Sequence, residues 1–81
     1  MTQISNNSQY RTTIGSDVER DGFYAELTRV TNNKIELVAE AFYNDATSEF
    51  TFSAFVKEIP FDIVEKFVLE AKQRVPPIKP S

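Results

Sequence analysis

Apolar and polar residues alternate with a period of two from Gly22 to Lys57, in three segments separated by turn-forming residues. This alternation is typical of strands that bury one face. The residues expected on the buried face are Phe23, Ala25 and Leu27, then Ile35, Leu37, Ala39, Ala41 and Tyr43, then Phe50, Phe52, Ala54 and Val56. A weaker pattern before Gly22 adds a fourth strand if residues 19–22 form a turn. The pattern predicts an antiparallel meander of three to four strands.

The first loop between these strands sets their register, because directly opposed residues of an antiparallel pair must share a face. A two-residue loop over 32–33 would oppose Leu27 to Val38 and mix the two faces. A three-residue loop over 32–34 opposes Leu27 to Ala39 and keeps the faces separate. We therefore predict the three-residue loop.

Two further turns complete the predicted meander. Residues 44–47 fit a type I turn, and residues 19–22 fit a tight turn with a positive φ at Gly22. These turns would oppose Ala41 to Phe50, Ala39 to Phe52, Val18 to Phe23 and Ile14 to Leu27.

Beyond Pro60 the spacing of apolar residues changes to the helical period. The expected buried stripe of this helix is Phe61, Val64, Phe67, Val68, Ala71 and Val75, with Ile63 on its flank. Pro60 suits a helix start, and Arg74 lies near the negative C-terminal end of the helix dipole. The predicted fold class is thus α+β, with one C-terminal α-helix packed on one face of the sheet.

The chain is short, at 81 residues, and a domain of this size has one marginal core. We divide it into a polar, flexible N-terminal arm over 1–9, a single domain over 10–75 and a Pro-rich extended tail over 76–81. Because the chain has no Cys and no His, neither disulfides nor soft metal sites can stabilise this core. Association with another chain is the remaining route.

Charge and hydropathy narrow the possible partners. The net charge of −3 argues against binding nucleic acid through its phosphates. No segment approaches the roughly 18 apolar residues that a membrane span requires, and residues 1–10 lack the features of a secretion signal. We expect a cytoplasmic protein that binds no nucleic acid and no membrane.

The residue inventory offers little for catalysis, since His and Cys are absent and Gly15 and Gly22 are too far apart to form a phosphate-binding loop. We therefore predict no enzyme activity and no catalytic, cofactor-binding or metal-binding residue. One carboxylate pair stands out, because the preferred register opposes Glu26 to Glu40 on the face away from the helix. A small carboxylate-dependent enzyme is the alternative based on this pair.

Apolar residues on the face away from the helix suggest binding instead. The predicted protein interface comprises Tyr24, Val30, Val38, Phe42 and Phe55. A protein-binding or regulatory accessory domain, acting as a homodimer or with a larger protein, fits this pattern best. Ordinary cross-strand packing, and an acidic mimic that occupies the basic groove of a nucleic-acid-binding protein, are the other interpretations. Exposed Leu69 and the spacing of Pro77 and Pro80 are weaker indications of contact sites.

Overall fold

A computed structural model describes residues 2–5 and 8–75 and shows an antiparallel meander with one C-terminal helix. The α+β class is therefore confirmed. The described sheet has five strands in the order β1-β2-β3-β4-β5. The elements are β1 (Thr2–Ser5), β2 (Ser8–Asp17), β3 (Gly22–Thr31), β4 (Lys34–Asn44), β5 (Glu49–Ala54) and α1 (Phe61–Arg74).

Strand β1 lies inside the segment that was predicted to be a flexible arm. Its backbone pairs with β2 in a register that opposes Thr2 to Arg11 and Ser5 to Ser8. The prediction of an arm considered only apolar burial, whereas pairing with β2 also gives the backbone of Thr2–Ser5 hydrogen-bonding partners. The predicted tail over 76–81 lies outside the described residues.

The turn between β3 and β4 differs from the prediction. It is a two-residue turn, since Thr31 pairs with Lys34, and Asn32 and Asn33 have φ values of 49° and 67°. Two consecutive left-handed residues are typical of a type I′ hairpin turn, which Asn tolerates better than most residues. The predicted three-residue loop is therefore wrong.

A β-bulge in β4 produces the same pairing of Leu27 with Ala39 that was predicted from a three-residue loop. Leu27 pairs with Ala39, as predicted, but the next residue, Thr28, pairs with Leu37. Val38 is therefore the extra residue, and the alternation of faces in β4 reverses on either side of it.

The bulge reverses the predicted environments of three residues. Val38, expected on the outer face, is fully buried in the core at 0% exposure. Ile35 and Leu37, expected in the core, are exposed. Simple alternation fails here because it assumes that every residue of a strand has one partner.

The other two turns shift the register by two residues from the predictions. Residues 45–48 form the β4–β5 connection, so that Ala41 pairs with Phe52. Before Gly22, Asp17 closes the β2–β3 hairpin, so that Ile14 pairs with Ala25. Because each shift is even, the faces of the strands are unchanged.

Gly22 has a different role from the predicted one. The positive φ of this turn belongs to Asp21, at 61°, and not to Gly22. A Cβ on Gly22 would lie 2.0 Å from the backbone oxygen of Tyr43. Glycine is needed there because two backbones approach closely.

The core lies between α1 and strands β2 to β4. Its buried apolar residues are Tyr10, Ala25, Leu27, Val38, Ala39, Ala41, Tyr43, Ile63, Phe67, Ala71 and Val75. The buried stripe of the helix is centred on Ile63, Phe67 and Ala71, so the helix is rotated from the predicted orientation. Phe61 and Val68, expected in that stripe, are exposed.

Strand β5 lies outside this core. Phe50 and Phe52 were predicted to be buried but are 39% and 48% exposed. All six residues of β5 are exposed, although Phe52 contacts Phe67 with ring centroids 6.3 Å apart. The helix therefore leaves the β5 edge of the sheet largely uncovered.

Candidate protein-binding surfaces

The outer face of the sheet, which is the face away from α1, carries an aromatic pair near its centre. Tyr24 pairs directly with Phe42 and, on its other side, with Gly15. A Cβ on Gly15 would lie only 2.4 Å from Oη of Tyr24, so the tyrosine ring lies over the glycine. This cross-strand packing of an aromatic ring on a glycine is a recurrent way to stabilise a sheet.

An arginine from the β2–β3 turn covers the other member of this central pair. The guanidinium carbon of Arg20 lies 4.1 Å from the centroid of the Phe42 ring, which is a cation–π arrangement. Tyr24 and Phe42 are both only partly exposed. Tyr24 and Phe42 thus have packing partners within their own chain. This favours cross-strand packing over partner binding as the role of these two residues.

Arg20 also connects the turn to the carboxylates of the outer face. Its Nη1 and Nη2 donate to the two carboxylate oxygens of Glu40 at 3.0 and 2.7 Å. Its Nε donates to Asp17 at 2.6 Å, and its backbone N–H donates to the same side chain. The hydrogen bonds that Arg20 donates to Asp17 lower the pKa of that carboxyl group below its ordinary value of 3.8. The pKa of Arg20 is raised, mainly by its hydrogen bonds to Glu40 and to a smaller extent by those to Asp17.

The predicted opposition of Glu26 and Glu40 is present in the β3–β4 register. Glu40 has Arg20 as a bidentate counter-charge, so the repulsion expected between opposed carboxylates is reduced. Among residues 2–5 and 8–75, no group of three or more acidic side chains could hold a metal ion. Glu40 thus belongs to an ion-pair network with Arg20 and Asp17, and Glu26 lies opposite it on the neighbouring strand.

A second group of apolar side chains lies on the outer face near the Asn32 turn. We call Val30, Ile35, Leu37 and Phe55 the outer patch. Val30 pairs with Ile35, and the bulge turns Ile35 and Leu37 to this face. The backbone N–H of Phe55 donates to the oxygen of Val38 at 2.9 Å, which continues the ladder of β5 with β4. Alternation along β5 then places Phe55 on the same outer face as Thr51 and Ser53. Ile35, Leu37 and Phe55 are 76%, 42% and 53% exposed.

The predicted interface is therefore divided by the structure. Tyr24 and Phe42 form the central pair, Val30 and Phe55 belong to the outer patch, and Val38 belongs to the core, which corrects its assignment. Ile35 and Leu37, which were predicted in the core, also face outward. The Asn32-Asn33 dipeptide was the available signal, because a two-residue type I′ turn there requires a bulge to keep the faces matched.

A separate apolar groove lies between α1 and β5. It has a volume of about 260 Å³ and is lined by Ala41, Phe50, Thr51, Phe52, Val68, Ala71 and Lys72. Its floor is made by the half-exposed phenylalanines of β5, and its wall by the helix. The groove is the part of the helix–sheet interface that α1 does not fill.

Comparisons with known proteins provide no relative. No protein family, curated protein or solved structure matches the chain. In the part of the chain that the structure describes, no helix is long and apolar enough to cross a membrane.

Proposed function

We propose that this protein is a small non-catalytic binding domain, and that the outer patch is its contact surface for a larger partner protein in the cytoplasm. The observation that carries the proposal is the exposure of three large apolar side chains, Ile35, Leu37 and Phe55, on one part of the outer face. Exposed apolar residues are common singly, whereas a contiguous group is typical of an interaction site.

The neighbouring interactions explain why this group is available for binding. On the same face, the aromatic ring of Phe42 is covered by Arg20, and Tyr24 packs over Gly15. The outer patch has no comparable cover from the β2–β3 turn, which lies at the opposite end of the hairpin. A partner with an apolar surface would remove Ile35 and Phe55 from water, which is the main favourable term in association.

The chemistry of the face supports binding better than catalysis. Glu40 is held by Arg20, and Glu26 lies beside it on an open sheet surface. General acid–base catalysis requires a group positioned against a bound substrate. Surface hollows of about 710, 260 and 200 Å³ in the described part of the chain are lined by residues other than Glu26 and Glu40.

The experiment compares immobilised wild-type protein with Ile35→Glu in native extract, with bound proteins quantified by mass spectrometry. Val18→Glu is the matched control, because Val18 is also apolar and 91% exposed but lies in the β2–β3 turn. We expect a protein retained by wild type and Val18→Glu that is lost from Ile35→Glu. Truncating a central interface residue commonly costs about 2 kcal/mol or more, which is roughly a thirtyfold loss of affinity.

Circular dichroism of each variant shows whether its fold is intact. Equal recovery of every bound protein by wild type and Ile35→Glu would contradict the proposal. Equal loss from Ile35→Glu and Val18→Glu would also contradict it, since binding would then depend on surface charge or general hydrophobicity.

A further inference from the structure

In the part of the chain that the structure describes, no strand pairs with the outer side of β5, so this edge offers backbone hydrogen-bonding groups. Pairing of β5 with β4 opposes Thr51 to Phe42 and Ser53 to Glu40, and the N–H of Phe55 donates to Val38 in the same register. In an antiparallel ladder, alternate residues of a strand direct both their N–H and C=O groups to one neighbour. The backbone groups of Phe50, Phe52 and Ala54 therefore point away from β4, toward the open side of the sheet.

This edge lacks the usual protection against pairing. Natural edge strands are commonly blocked by charged residues, Pro or a bulge. From Phe50 to Ala54 the strand contains no charge and no Pro, and its pairing with β4 shows no register shift. The same residues are exposed, including Phe52 at 48%. The edge thus combines unpaired backbone with apolar side chains.

We propose that β5 pairs antiparallel with β5 of a second copy of this chain, around a two-fold axis at Phe52. This register opposes Phe52 to Phe52, and Phe50 to Ala54 of the other copy. It engages all three outward-facing residues and permits about six backbone hydrogen bonds across the axis. The dimer is independent of the outer patch, and it joins the two sheets into one.

The sequence of β5 is complementary to itself in this register. On the face that carries α1, each large Phe50 side chain meets a small Ala54, and Thr51 meets Ser53 on the outer face. Glu49, the acidic residue of the strand, lies opposite Phe55 and not opposite its own copy. Like charges are therefore kept apart, as a symmetric interface requires.

The second copy would also complete the groove between α1 and β5. Phe52 packs against Phe67 on one side, and its exposed side borders the open edge. The two-fold axis places the Phe52 ring of the other copy next to it. One strand from a second copy would thus provide hydrogen-bonding partners for the backbone of the β5 edge and would also cover the exposed aromatic rings.

Disulfide crosslinking tests the register, and the chain has no Cys of its own. In the proposed dimer, Thr51 of one copy opposes Ser53 of the other in a closely spaced pair without mutual hydrogen bonds. We expect the double variant Thr51→Cys, Ser53→Cys to form a dimer linked by disulfides under mild oxidation, because the opposed Cβ atoms come within reach. Thr51→Cys alone should crosslink weakly.

Absence of crosslinks in the double variant would overturn the proposal. Equal crosslinking of Thr51→Cys alone would overturn the register, since it would place Thr51 opposite itself.

Molar mass in solution, measured against concentration, tests the dimer without cysteines. Wild type should approach twice the chain mass of 9.3 kDa. Ala54→Pro should be monomeric, because the proline removes an outward N–H while the hydrogen bonds to β4 remain. Ala54→Lys is a second variant that places a charge at the same edge, and circular dichroism verifies both folds.

The outer-patch variant separates this proposal from the proposed function. Ile35→Glu should remain dimeric, and Ala54→Pro should still retain the partner protein.

A monomeric wild type at millimolar concentration would refute the dimer. Growth into long filaments would refute it as well, because joining β5 to β1 of another copy makes an open and not a closed assembly.

Discussion

Individual residues show how small side chains allow close approach in this sheet. Gly15 and Gly22 lie in neighbouring strands, yet they make room for different groups. At Gly15 the neighbouring atoms belong to the end of the Tyr24 side chain, which can rotate. At Gly22 the nearest atom is the backbone oxygen of Tyr43, which is fixed by the β3–β4 ladder.

Alanine substitutions at these glycines should therefore differ in their effect on stability. Gly22→Ala forces two paired backbones apart and should lower the free energy of unfolding by about 2 to 3 kcal/mol, the range for overpacking. Gly15→Ala displaces the end of one ring and should cost less than about 1 kcal/mol, since alanine also loses less entropy in a strand than glycine. Urea denaturation of both variants measures the difference. Equal midpoints would show that Gly22 is not limited by the backbone of Tyr43.

At the scale of single elements, the bulge in β4 determines which residues can serve as core and which as surface. Its extra residue, Val38, reaches the core together with Ala39, while Leu37 turns outward. The same irregularity creates the outer patch, because Ile35 and Leu37 face away from α1 only on the far side of the bulge. The local structure of one strand thus positions the proposed binding surface.

Truncation at two adjacent positions tests this arrangement. Val38→Ala removes fully buried methyl groups and should lower the free energy of unfolding by about 2 kcal/mol. Leu37→Ala, at 42% exposure, should cost less than about 1 kcal/mol despite removing more atoms. Regular alternation without a bulge predicts the reverse order, so chemical denaturation of the pair distinguishes the two registers.

The alternation of residues was sufficient to predict the strands after Gly22, and the helical period was sufficient to predict α1. It was also sufficient to oppose Glu26 to Glu40. It could not predict the bulge, because periodicity assigns every residue one partner and Val38 has none in β3. The cover of Phe42 by Arg20 was equally inaccessible, since it depends on the path of a turn and not on a pattern.

For the whole molecule, the position of the helix determines which strands contribute side chains to the small core. The buried stripe of α1 runs along Ile63, Phe67 and Ala71, and the core extends from there to Tyr10 in β2. Strand β5 contributes Phe52 only at the border of this core. Among the described residues, the core is therefore concentrated under β2 to β4, and the side chains of β5 remain exposed.

Two phenylalanines in contact with each other test this uneven distribution. Phe67→Ala, at 2% exposure, removes the centre of the core and should lower the free energy of unfolding by about 3 to 5 kcal/mol. Phe52→Ala should cost about 1 to 2 kcal/mol, because roughly half of that ring is already in water before unfolding. Both are best measured by chemical denaturation in the Ala54→Pro background, where β5 pairs with β4 alone and self-association does not add to the stability. A loss as large for Phe52→Ala as for Phe67→Ala would show that α1 covers β5 in solution, and the open groove and its proposed partner strand would both be excluded.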